Sequence, residues 1–137
     1  VQSPRPPIMI AAMGPIMLGH TARYADIWNS ISFATTFEAQ LEETRARVAT
    51  LDARCAAIGR DPATLRRSYL MFDAMARQSG GRVNYYDSEE SFARMVEQVI
   101  ALGITEVALY YPIAEEQKPV FERIARNVLP AMKAAHR

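Results

Sequence analysis

Ile8-Met9-Ile10-Ala11-Ala12, with Met13-Gly14-Pro15 after it and Asp26-Ile27-Trp28-Asn29-Ser30 further on, is the stretch that decides the fold class. The first five residues are a continuous apolar run without alternation, the pattern of a parallel strand buried on both faces. Gly14 permits a tight turn, and Pro15 suits the first helical position, where its missing N–H would have no intrahelical partner. A helix to about Tyr24 is expected. Asp26 to Ser30 is too short for a helix and carries branched and aromatic side chains, so it reads as a second strand. Strand, turn, helix and strand in that order make a βαβ crossover, which places the two strands side by side and parallel.

The same alternation continues outward. Thr35 and Glu38 stand at capping-box spacing and open a long helix. Its apolar stripe is Phe37, Leu41, Val48, Leu51, Cys55 and Ile58, and Gly59 followed by Pro62 stops it. Arg67 to Phe72 reads as a third strand, and Arg77 to Asn84, with its Gly80-Gly81 pair, as a flexible surface loop. Asp87 or Ser88 caps a third helix with the apolar face Phe92, Met95, Val96, Val99 and Leu102, ended by Gly103. Glu106 to Tyr111 is a fourth strand closed by Pro112. A last amphipathic helix carries Val120, Phe121, Ile124, Val128, Leu129 and Met132, and Pro130 is expected to kink or shorten it. Val1 to Pro7 holds three prolines and no apolar core, an extended lead-in rather than a secretion signal.

Composition narrows the function classes. The 137 residues are half hydrophobic, enough for one core. Sixteen basic and fifteen acidic residues are interleaved and give a net charge of +1, so there is no basic face for nucleic acid. No run of about 18 apolar residues is present to span a bilayer, and the single cysteine, Cys55, has no internal disulfide partner. A cytoplasmic protein with no membrane or nucleic-acid partner is expected. Four βα units are half of an eightfold barrel, whose usual length is about 250 residues. A half barrel leaves two strand edges unpaired, so the chain, which begins with valine, is expected either to be a piece of a longer chain or to pair with a copy of itself.

Candidate site residues follow from that architecture. Ligands of parallel α/β barrels gather at the C-terminal ends of the strands, where helix N-termini present unpaired N–H groups and a favourable dipole to an anion such as phosphate. Ala12, Met13, Gly14, Pro15 and Ile16 lie at the first such turn, although Gly-Pro is also an ordinary helix start. Asn29 and Ser30 end the second strand and are further candidates, whereas Trp28 reads as core. His20, in mid-helix, reads as solvent-facing, and Cys55 as a buried small hydrophobe without an activating neighbour. Tyr110, Tyr111, Glu115 and Glu116 stand where a substrate could reach them, with packing and a solvated helix start as equal alternatives. Tyr85-Tyr86 reads as a subunit contact before a lid, and Arg66-Arg67 as a solvated pair. No metal-ligand spacing or serine nucleophile elbow occurs, and no catalytic residue is identified.

These residues also carry a family resemblance. Pro7 to Leu18, followed by Ala22-Arg23-Tyr24-Ala25-Asp26-Ile27-Trp28-Asn29, resembles the late strand-turn-helix-strand stretch of the luciferase-like monooxygenases and their F420-dependent relatives. Gly59-Arg60-Asp61-Pro62, Leu102-Gly103-Ile104 and Val128-Leu129-Pro130 resemble that family's later elements in the same order. Ile27 stands where the family usually has glycine, and Ile16 where F420-dependent reductases often carry lysine. The resemblance implies the C-terminal half of a TIM-like (β/α)8 barrel belonging to a flavoprotein-like oxidoreductase or monooxygenase. It also implies F420 or FMN as cofactor, a small-molecule substrate lying over the cofactor ring, and the Ala12–Ile16 turn as the phosphate cradle. In that family the cofactor performs the hydride or oxygen chemistry, so faint side-chain signatures are expected. Arginine outnumbers lysine fourteen to two, a GC-rich bias that leans the cofactor toward F420. On this reading the isolated chain is inactive and acts as a homo-oligomer or with the N-terminal half. The rivals are a non-catalytic flavin-binding relative and a self-associating half-barrel module.

Overall fold

A computed structural model describes residues 3–73 and 82–136. The sheet has four strands in the order β1-β2-β3-β4, all parallel: β1 (Met9–Ala11), β2 (Ile27–Ser30), β3 (Arg66–Met71) and β4 (Glu106–Leu109). Helices α1 (Pro15–Tyr24), α2 (Phe37–Ala57) and α3 (Glu89–Ile100) connect them. The chain closes with α4 (Lys118–Arg123), a π-helical segment (Ile124–Val128) and α5 (Leu129–Ala135). The expected alternation of four βα units is therefore present, with β1 and β4 as the two edges of the sheet.

Local signals explain most of the boundaries. Gly14 is the N-cap of α1 and Pro15 takes the first turn. Helix α2 begins one residue later than the capping-box reading: Thr36, not Thr35, is the N-cap, and its hydroxyl accepts from the N–H of Ala39 at 3.2 Å. Glu38 is thereby moved out of the reciprocal position, and the box does not form. The other end of α2 is a Schellman closure, with Gly59 N–H donating to Ala56 O and Arg60 N–H to Cys55 O. Gly59 adopts φ +70°, which a side chain disfavours. Ser88, one of the two candidates, caps α3 by accepting from Ser91 N–H. Pro130 does not end the last helix. Its ring would meet the carbonyl four residues back, and the preceding turn is widened into a π-helical segment in which Leu129 N–H reaches Ile124 O.

Alternation along the strands separates two faces. Trp28, Ser30, Arg67 and Tyr69 look toward the helices: Arg67 pairs with Asp52 of α2, Ser30 accepts from Arg47 of α2, and Tyr69 donates to Gln40 of α2. The core lies on this side, among Trp28, Leu51, Tyr69, Met71, Phe92 and Ile124, all fully buried or nearly so. The other face carries Met9, Ala11, Asn29 and Ser68 in register, with Asn29 Nδ2 donating to Ser68 Oγ at 3.0 Å.

Three sequence readings change here, and a fourth falls largely outside the described residues. Ile58 lies beyond the end of α2 and is exposed, because the Schellman turn carries it off the stripe. Arg66 and Arg67 are not a solvated pair ahead of the strand: both lie in β3, Arg66 bonded to Glu106 at 3.3 Å and Arg67 sunk against Asp52. Tyr85 and Tyr86 are buried rather than available for a subunit contact or lid. The loop read as flexible, Arg77 to Asn84, falls outside the described residues up to position 81. Beyond it, Val83 is buried and Arg82 and Val83 donate their N–H groups to the Asp73 carboxylate.

Candidate functional site

The C-terminal ends of the four strands form one rim. At its β1 corner, Ala12 is buried, its N–H donating to Asn29 O at 3.0 Å and its carbonyl accepting from Trp28 Nε1 at 2.9 Å. That pair of bonds explains the buried tryptophan and fixes where the chain leaves the sheet. Met13 is exposed, and Gly14 has an ordinary extended backbone (φ −91°, ψ 158°). Among the described residues, no heavy atom lies within 4 Å of where a Cβ on Gly14 would stand. The glycine is therefore demanded neither by backbone geometry nor by packing among the described residues. Helix α1 begins there with no side-chain cap and no acidic residue in its first turn. Ile16, 77% exposed, offers its N–H and no charge.

The β2 corner is tied from beneath by a network that sequence reasoning did not find. The Arg47 guanidinium donates to Ile31 O at 2.6 Å, to Ser30 Oγ at 3.4 Å and to Glu43 at 3.1 Å. Ser32 Oγ donates to the same Glu43 carboxylate at 2.7 Å and accepts from Ala34 N–H, while Gln40 Nε2 donates to Ala34 O. Ser30, 1% exposed, thus faces α2, and any effect it has on the rim is exerted through Arg47. Asn29 lies on the opposite, inner face beside Ser68. The two adjacent candidates are therefore separated by the sheet itself.

Behind the β3 end, Gln40 Oε1 accepts from the hydroxyls of Tyr85 and Tyr69, and Thr44 Oγ1 donates to Gln40 O at 2.7 Å. Burial pushes the Tyr85 phenol far above its ordinary range, with the neighbouring Tyr69 adding to the shift. Tyr86 is raised by burial too, and its hydroxyl donates to Tyr110 O at 2.6 Å. Thr44 falls in the gap between Leu41 and Val48 of the α2 stripe and Gln40 stands one turn before it, an i, i+4 polar pair that was the available signal for both. At the β4 corner Tyr111 is exposed, its ring edge-on to Phe121 at 5.5 Å with Lys118 Nζ 5.9 Å above it.

Other candidates resolve simply. His20 is exposed and stacks on Tyr24, and Cys55 is buried, its thiol pushed up by desolvation. Glu115 pairs with Lys118 at the solvated start of the last helix. Among the described residues no group of three or more His, Cys, Asp or Glu can hold a metal ion, and no helix is long and apolar enough to cross a membrane.

No curated protein matches the chain. Among solved structures, it resembles the coenzyme F420-dependent tetrahydromethanopterin reductase of Methanopyrus kandleri, with a TM-score of 0.63 and 13% identity over 91% of this chain and 50% of that one. A second resemblance is to an F420-dependent secondary alcohol dehydrogenase solved with an F420-acetone adduct, with a TM-score of 0.58 and 14% identity over 78% of this chain and 43% of that one. At such identities the likeness concerns the fold: this chain corresponds to part of a TIM barrel and spans half or less of the length of those enzymes. The luciferase-like monooxygenase profile matches residues 1–117, and the chain belongs to that family.

Proposed function

We propose that this chain is the C-terminal, cofactor-holding half of an F420- or FMN-dependent oxidoreductase, F420 being favoured, and that its β1–α1 turn receives the cofactor's phosphate. The observation that carries the reading is the start of α1. A helix N-terminus without a side-chain cap or an acidic residue in its first turn starts at a glycine whose missing side chain leaves open space. Oriented N–H groups and the positive end of the helix dipole suit a phosphate at such a place. Pro15 gives up no useful donor there and sets the entry angle, while Ala12 and Met13 lead the backbone to the ligand. Asn29, on the inner face, is the side chain within the sheet that can meet the rest of the cofactor.

F420 or FMN, when bound, supplies hydride or oxygen chemistry, while the protein supplies binding, orientation and exclusion of water. F420 is favoured because both solved structures named above are F420-dependent, and the excess of arginine over lysine, fourteen to two, leans the same way. The remaining strands of the barrel would supply most of the ring pocket, so the chain alone is expected to turn over no substrate.

The test is a fluorescence titration of the chain with F420 and, separately, with FMN, repeated on Gly14→Val. The backbone at 14 is ordinary and its surroundings are open, so the variant leaves the fold intact. Saturable binding that is lost in Gly14→Val supports the turn as the cradle and selects the cofactor. Equal binding by both proteins, or none by either, overturns it.

A further inference from the structure

Each end of the sheet lacks a neighbour among the described residues, and the two ends complement each other. Inside the sheet the helix-side residues are sealed: Trp28 and Ser30 on β2 and Tyr69 and Met71 on β3 are all 2% exposed or less. The matching residues of β4, Val107 and Leu109, are only partly buried and line a groove of 510 Å³ whose apolar walls include Phe92, Val96, Leu129 and Met132. The polar groups of its lining are engaged or solvated: Thr105 donates to Arg67 O, Glu106 pairs with Arg66, His136 pairs with Glu97, and Lys133 is exposed. At the other end, Ile8 and Ile10 stand by alternation on the helix side of β1, Ile8 43% exposed and Ile10 partly buried. Helix α1, which follows β1, leaves Ile16, Met17 and Tyr24 exposed.

Backbone groups are left over at the same two places. Ile8 O accepts from Ile27 N–H and Ala12 N–H donates to Asn29 O, so Ile8, Ile10 and Ala12 turn to β2 while Met9 and Ala11 turn outward. Across the sheet, the register of β4 on β3 turns Val107 and Leu109 outward. A small apolar molecule in the groove leaves these N–H and C=O groups to water, whereas a strand satisfies them and fills the groove together. β1 of a second copy has the required direction and face: laid parallel on β4, it brings Ile8 or Ile10 beside Val107 on the helix side, at the spacing of about 4.8 Å between paired strands. Pairing of β4 with β4 leaves both β1 edges open. Pairing of β1 with β4, repeated about a two-fold axis, closes all four edges, and four βα units are the half of an eightfold barrel that two copies complete.

We infer that a second copy of this chain covers the groove, its β1 pairing with β4, so that two copies close an eight-stranded ring. This goes beyond the proposed function and does not depend on the phosphate turn. It makes the partner copy the source of the further strand ends around the cofactor, so that the pocket is incomplete in one copy alone.

Sedimentation velocity over a concentration series tests the inference on the whole chain, without cofactor, so that its outcome is separate from that of the F420 and FMN titrations. The parent is expected to run as a discrete dimer. Met9→Pro and Val107→Pro each remove an outward N–H at a place where edge strands tolerate proline, and circular dichroism checks that both fold. Either variant alone is expected to be monomeric, because the same defect falls in both junctions of its dimer. Their equimolar mixture is expected to recover dimers, since the intact β4 of one protein meets the intact β1 of the other. Ile8→Glu, which changes an exposed side chain and no backbone group, is expected to weaken the parent dimer at least about tenfold, the loss of one buried isoleucine contact. A parent that is monomeric or grows without limit, a Met9→Pro protein that stays dimeric, a mixture that recovers no dimer, or an Ile8→Glu dimer as tight as the parent's overturns the inference.

Discussion

Gln40 occupies a position that the apolar stripe of α2 would give to leucine, and it is buried there with its amide fully engaged. Replacing it with leucine keeps the volume but leaves the Tyr85 hydroxyl and the Ala34 carbonyl without their partner. Each group so orphaned costs about 1–3 kcal/mol, so Gln40→Leu is expected to lower urea stability by that order while Gln98→Leu on the exposed side of α3 does not. Asp26 makes a second residue-scale prediction. Its carboxyl is held at about 2, below the ordinary 3.8, first by the hydrogen bond from Arg5 and then by that from Ile8 N–H. A depressed carboxyl contributes stability above its unfolded value and loses it as pH falls through the folded one. Stability should therefore decline from about pH 4 toward pH 2, and Asp26→Asn should flatten that decline in acid-unfolding curves. The buried phenols act at the other extreme: Tyr85 and Tyr86 are raised, so stability falls as pH rises past 10, with their ionisation absent from the ultraviolet titration until the chain unfolds. Gly14-Pro15 was legible as a candidate because the local backbone announces itself. The roles of Arg47 and Glu43 were not, because Ile31 and Ser32, which they hold, lie across the chain in the β2–α2 loop.

At the scale of elements, caps and stops account for what the sequence revealed and for where it slipped. Thr35 and Thr36 both precede the helix, and only the structure distinguishes which hydroxyl meets an N–H. Thr36→Ala should cost about 1 kcal/mol in thermal or urea unfolding and Thr35→Ala much less. The reverse order would restore the capping box. Gly59→Ala probes the other end of the same helix. Among the described residues nothing crowds the added methyl, so the cost is that of the left-handed backbone, about 1–2 kcal/mol. Every strand and helix of the alternation was readable from apolar runs and Gly or Pro punctuation, because those signals are local. The faces were less readable. Two arginines at the start of β3 look solvated in one dimension, but pairing in register with β4 and packing on α2 give each a carboxylate. Tyr85-Tyr86 looks exposed for the same reason: two adjacent aromatics cannot both point inward from a strand, but from a turn they reach Gln40 and the Tyr110 carbonyl in different directions.

On the scale of the whole molecule the open question is what closes the sheet. β1 and β4 are both edges, and β4 borders an apolar groove of 510 Å³ between α3 and α5, lined by Phe92, Val96, Ile100, Leu109, Leu129 and Met132 among others. Unpaired parallel strands beside exposed apolar surface favour edge pairing with another chain or another half. The isolated chain is therefore expected to sediment at twice its own mass or more. The edge can be blocked without touching the sheet. Arg66 N–H donates to Asp26 O and so points to β2, which turns Arg67, Tyr69 and Met71 toward β4; in the Leu70–Ala108 register the N–H of Ala108 then points to β3 and that of Val107 away from it. Val107→Pro removes that outward donor and leaves the bonds to β3, a place where edge strands tolerate proline. The variant should keep its circular dichroism and return to monomer. A discrete dimer in the parent, abolished by Val107→Pro, would mark a self-associating half barrel. Open-ended aggregation relieved by the same change would mark one half of a longer barrel. A parent that is monomeric at every concentration would mean that these edges do not pair at all.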